Sequence, residues 1–83
     1  MKKIDEFMYI LYEKQNNRID NESIVIAKTE KAIRKSYKEL IKMYTSPDFK
    51  GIIKQEKENS CIIMWEETKE CFEIVIGKII ENF

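Results

Sequence analysis

The only proline in the chain, Pro47, stands where the apolar pattern changes its period, and that break constrains the fold more than any other feature. On its N-terminal side, Ile33, Tyr37, Leu40, Ile41 and Tyr44 recur at helical spacing. This predicts a helix from Thr29 to Tyr44, with Thr29 as its N-cap and the Thr45-Ser46-Pro47-Asp48 stretch as its stop. On its C-terminal side, Gly51-Ile52-Ile53-Lys54-Gln55-Glu56 and Cys61-Ile62-Ile63-Met64-Trp65 are β-prone runs around a short polar link. They predict a two-stranded hairpin over 51–65.

The remaining segments are read by the same periodicity. Ile4, Phe7, Met8 and Leu11, extended by Tyr12, predict a first helix over 3–15. Phe72, Val75, Ile76, Ile79, Ile80 and Phe83 predict an amphipathic helix over 67–83. Glu66, Glu67, Glu70 and Glu73 fall at its start, where carboxylates suit the helix dipole. Gln15 to Asn21 reads as a loop. The four apolar residues Ile24 to Ala27 suit either a buried strand or a turn of buried helix within a helical region over 22–44. The expected class is therefore α+β: helices, then a hairpin, then a C-terminal helix.

Composition bounds the chemistry. With 43% hydrophobic and 36% charged residues, two glycines and one proline in 83 residues, the chain is expected to fold as one ordered domain. A chain of this size hides only about 60 to 65% of the surface it exposes when unfolded. No apolar stretch approaches the roughly 20 residues of a membrane span, and the N-terminal lysines are not followed by an apolar export segment. A cytoplasmic protein is expected. Histidine is absent. The two cysteines, Cys61 and Cys71, lack the spacing of a redox or zinc pair and are expected to be buried free thiols. With no phosphate loop, nucleophile elbow or triad in view, neither enzymatic activity, nor a metal, nor a cofactor is expected. The heavy use of Ile, Lys, Glu and Asn is what AT-rich codons produce, which points to a low-GC bacterium or one of its phages or plasmids.

Charge is neutral overall but uneven along the chain. Residues 1–27 carry a balance of −1, residues 28–57 of +5 and residues 58–83 of −4. On a helix advancing about 100° per residue, Lys31, Arg34, Lys35, Lys38 and Lys42 fall on the side away from the apolar stripe, and Glu30 and Glu39 flank them. Cations gathered without an interposed acid repel one another and call for a polyanionic partner.

The order of helix, short second helix, basic helix and hairpin resembles the winged helix-turn-helix family. Ile26, Ala32, Tyr37 and Leu40 fill positions that pattern wants apolar, and Ala27 one where it prefers a small residue. The usual turn glycine would be Lys31, which leaves one continuous helix from Ser23 to Tyr44 as the alternative. The resemblance implies a DNA-binding regulator or accessory protein whose basic helix enters the major groove and whose hairpin is a wing. It implies a binding set of Lys28, Lys31, Arg34, Lys35, Lys38, Lys42, Lys54 and Lys57, with Arg34 reading a base and the lysines holding phosphates. Asn59, in the hairpin link, reads as a turn former with a base contact as its second use. Surplus apolar surface on the terminal segment implies a homodimer through Phe72, Val75, Ile76, Ile79 and Phe83. The rival expectation is a phage- or plasmid-encoded inhibitor or immunity factor that docks on a host protein through its acidic 58–73 region or its basic face.

Overall fold

Phe7 to Tyr12 is an unbroken run of six apolar residues, and it forms the middle of a strand. A run apolar on both sides cannot lie on a globular surface as a helix without exposing half of itself. Inside a sheet it buries both faces or covers one and offers the other. The computed structural model describes residues 6–81. It contains β1 (Glu6–Gln15), β2 (Arg18–Ile19), a 3-10 turn at Asn21–Ser23, β3 (Val25–Ala27), α1 (Glu30–Tyr44), β4 (Gly51–Glu56), β5 (Ser60–Trp65) and β6 (Cys71–Glu81).

The strands make one antiparallel sheet in the order β2-β1-β6-β5-β4, with β3 pairing β1 beside β2. β1 and β6 pair from Glu6↔Glu81 to Lys14↔Glu73 and form its centre. This overturns the winged-helix expectation. The segment expected as a helix over 3–15 is β1, and the helix expected over 67–83 is β6. In β6 the β-branched residues Ile74, Val75, Ile76, Ile79 and Ile80 and the mid-segment Gly77 disfavour a helix, while both flanks of the strand find partners in β1 and β5. Of the helical region expected over 22–44, residues 25–27 are a strand and only Glu30–Tyr44 is α-helix.

Local chemistry sets the connections. Asn16 and Asn17 both hold positive φ, at 53° and 65°, and close β1 onto β2 as a two-residue hairpin. Thr29 caps α1 by accepting from Ala32 N at 3.1 Å. β4 starts at Gly51 because no larger residue fits there: a Cβ would lie 2.8 Å from Ile63 Cγ2 and collide with the Tyr44 carbonyl. α1 returns the chain across one face of the sheet and packs on β1, β3 and β6. Ile33 and Tyr37 enter the core with Leu11, Cys61, Ile63, Phe72, Ile74 and Ile76. Those strand residues alternate along β1, β5 and β6, so every second side chain points under the helix. No helix among the described residues is long and apolar enough to cross a membrane.

Candidate nucleic-acid interface

With Ile33 and Tyr37 pointing inward, the opposite side of α1 is set by helical geometry. Lys31, Lys35, Lys38 and Lys42 fall within roughly 60° of one another there, spaced four, three and four residues apart. All four are exposed. They form a ridge about 16 Å long, from the rise of about 1.5 Å per residue. None of the four has an ion pair among the described residues. Lys28, also exposed, lies just before the helix.

Arg34 does not belong to the ridge. Its Nε donates to Glu30 Oε2 at 3.0 Å, its Nη1 to the Glu58 carbonyl at 2.8 Å and its Nη2 to Asn59 Oδ1 at 2.7 Å. The expected base reader is thus a staple between the first turn of α1 and the β4–β5 link. Asn59 is committed to the same contact, and its own carbonyl accepts from Ile76 N at 2.8 Å. Glu30, the acid nearest the ridge's start, is occupied by Arg34. This leaves the outward surface of α1 more cationic than its sequence suggests.

Lys54 and Lys57 are exposed but belong to the hairpin, not to the helix. Lys54 occupies the bulge where the β4–β5 register shifts between Ile53 and Gln55, and Lys57 begins the link. β4 is an edge strand, so the expected set divides into a helical ridge and two cations on the sheet's margin.

The expected dimer stripe is divided as well. Alternation along β6 buries Phe72 and Ile76 beneath α1 and turns Val75 to the other side of the sheet. The side chain of Ile79 and all of Phe83 lie outside the described residues. Cys61 is buried, as expected, and burial with Glu56 nearby pushes its thiol pKa up. Cys71 is exposed, contrary to expectation, because it opens a strand on the uncovered side. The expected acid cluster at a helix start is instead the β5–β6 turn with Glu66, Glu67 and Glu70, and Glu73 sits within β6.

At the other end of α1 an aromatic group closes the core. Tyr44 meets Phe49, Trp65 and Phe72 edge-on at 5.7, 5.6 and 5.0 Å, and Trp65 stacks on Phe72. The Tyr44 hydroxyl donates to Glu13 Oε2 at 2.6 Å. Burial first, then that bond, push its pKa far above the tyrosine value. An open cleft of about 480 Å³ beside this group carries Lys14 and Arg18 with Glu13 and Asp20, so its charges offset one another. The lysine ridge, by contrast, carries charge of one sign along four positions of α1. No family model, curated protein or solved structure matches the chain.

Proposed function

We propose that this chain binds the phosphate backbone of duplex DNA through the lysine ridge of α1, as a cytoplasmic, cofactor-free binding protein and not as an enzyme. The observation that carries the reading is the placement of Lys31, Lys35, Lys38 and Lys42 on the exposed side of one helix, opposite the buried Ile33 and Tyr37. Four mutually repelling ammonium groups in water gain most from a partner that supplies closely spaced negative charge, and duplex DNA carries one charge per about 1.7 Å of its axis.

The chemistry of the ridge also bounds its selectivity. Lysine holds phosphate as a point charge, whereas base readout draws on the planar or forked groups of Arg, Asn and Gln. Arg34 and Asn59 are engaged with each other, and α1 holds no other residue of those types. Binding is therefore expected to be dominated by charge and weakly dependent on sequence, with Lys28 adding to it at the helix start.

Fluorescence anisotropy with a labelled duplex at about 50 mM and about 200 mM salt tests this. Four phosphate contacts give a log–log salt slope of about −3 to −4, a loss of affinity on the order of 10²-fold between the two conditions. Lys35→Glu with Lys38→Glu should abolish binding while circular dichroism stays that of the parent. Absence of binding at the lower salt, or binding indifferent to the double reversal, overturns the proposal in favour of a protein-docking role.

A further inference from the structure

α1 covers one face of the sheet, and no described element covers the other. A solvated antiparallel face normally alternates to polar residues on its outer side. Here the outward positions are Met8, Ile10 and Tyr12 of β1, Val75 of β6, and Ile62 and Met64 of β5. All six are half-buried by their neighbours alone. Ile10 and Tyr12 lean across Gly77, whose added Cβ would sit 3.2 Å from Ile10 Cγ2, so the middle of the face is flat. Ile19 and Ile26, 48% and 54% exposed, continue the patch beside Lys14 and Ile10. Its polar positions include Ser60, the register partner of Val75, and, at the end of the β1–β6 ladder, the register partners Lys14 and Glu73.

We infer that this face is a homodimer interface, in which two copies stack sheet to sheet about a two-fold axis running along the β1–β6 boundary. Two properties of the face select a second copy as its occupant. The first is size. Four strands about 4.8 Å apart and about seven residues long span roughly 450 Å² in projection. With side-chain relief that is on the order of 600 to 800 Å² of accessible surface per copy, the amount a standard interface takes from each partner.

The second is self-complementarity. An axis parallel to the strands and midway between β1 and β6 exchanges these two strands between the copies and leaves the register rows level. Lys14 of each copy then lies opposite Glu73 of the other, Tyr12 opposite Val75, and Ile10 opposite the side-chain-free Gly77. From the Met8↔Ile79 row to the Lys14↔Glu73 row no like charges face one another, the acidic Glu6↔Glu81 row lies at the rim beyond them, and the same patch serves both partners, as an isologous contact requires. The inference is independent of the DNA-binding reading, because it uses the opposite face of the sheet.

Light scattering of the whole chain at tens of micromolar gives the test. The parent should show a mass twice that of the 10.0 kDa chain. Val75→Lys places an ammonium in the middle of the face and should yield a monomer with an unchanged circular dichroism spectrum. Lys14→Glu alone should weaken the dimer at least tenfold, and Lys14→Glu with Glu73→Lys should restore it, which keeps the test sound if Val75→Lys fails to fold. A monomeric parent overturns the inference. So does a dimer that survives both Val75→Lys and Lys14→Glu, since that would place the contact on a sheet edge or on α1.

Discussion

Arg34 donates to Asn59 Oδ1 at 2.7 Å, and through this contact the first turn of α1 is fastened to the link between β4 and β5. The guanidinium also reaches the Glu58 carbonyl at 2.8 Å and Glu30 at 3.0 Å. Its role is architectural. Arg34→Ala should destabilise the fold by about 1 to 2 kcal/mol, the range for charged hydrogen bonds after discount for partial exposure. Urea denaturation measures that, and the same variant should weaken DNA binding much less than Lys35→Glu with Lys38→Glu. The reverse ranking would return Arg34 to the binding surface.

The contacts of Arg34 depend on the tertiary fold in a way that the helical stripe does not. The stripe from Ile33 to Tyr44, the cap at Thr29 and the lysines opposite are local features, and α1 follows them; Gly51 and the β-prone runs after Pro47 likewise mark the hairpin. β1 and β6 are decided elsewhere. Ile4, Phe7, Met8 and Leu11 satisfy a helical period, but Tyr9 and Ile10 fill the side that period leaves polar. The partners that settle the matter, such as Ile76 for Leu11, stand more than sixty positions away along the chain. Two local signals favoured strands: the β-branched run in 74–80 and the Asn16-Asn17 turn. The lysine ridge was legible as far as it depends on helical spacing. The capture of Arg34 by Asn59 depends on where the hairpin lands, which no spacing reveals.

Tyr37 provides a pH prediction. Its hydroxyl is buried without a hydrogen-bond partner among the described residues, and burial above all, then Cys61 and Glu56, push its pKa up to about 12 from 10.0. The unfolded chain ionises first as pH rises, so this group's contribution to stability is complete below about pH 10 and is lost as pH climbs towards 12. Tyr44 adds in the same direction. Thermal melts should fall over that window, and Tyr37→Phe should flatten the fall while raising stability near neutrality by about 1 kcal/mol, the cost of an unpaired hydroxyl. A variant that melts with the same alkaline profile would show that Tyr37 is not the group responsible.

The two glycines are expected to respond differently to alanine. At Gly51 the new methyl meets the backbone carbonyl of Tyr44 and Ile63 Cγ2 at 2.8 Å, and a backbone atom cannot step aside cheaply. Gly51→Ala should cost about 2 to 3 kcal/mol as overpacking. At Gly77 the nearest atom is the side-chain Ile10 Cγ2 at 3.2 Å, which can shift, and strand positions tolerate alanine better than glycine. Gly77→Ala should change stability by less than about 1 kcal/mol. Equal losses in chemical denaturation would contradict the close approach at Gly51.

The lysine ridge and the uncovered face of the sheet lie on opposite sides of the chain. In a sheet-to-sheet dimer each α1 lies on the outside, because it packs on the side of the sheet away from Val75, Ile10 and Tyr12. With about 10 Å between layers, the lysine ridges of the two copies would point in opposite directions roughly 40 Å apart. Two such ridges cannot read adjacent half-sites on one straight duplex, as side-by-side recognition helices do. They suit two separate duplexes. A surface-bound duplex should therefore capture a second, labelled duplex only when the protein is present. Val75→Lys should bind a single duplex with the same salt-sensitive affinity per ridge, since the two ridges never share a duplex, and should capture none. Lys35→Glu with Lys38→Glu should do neither while keeping the dimer mass. Capture that persists with monomeric Val75→Lys would mean that one copy holds two duplexes by itself, and the outward arrangement of the ridges would have to be abandoned.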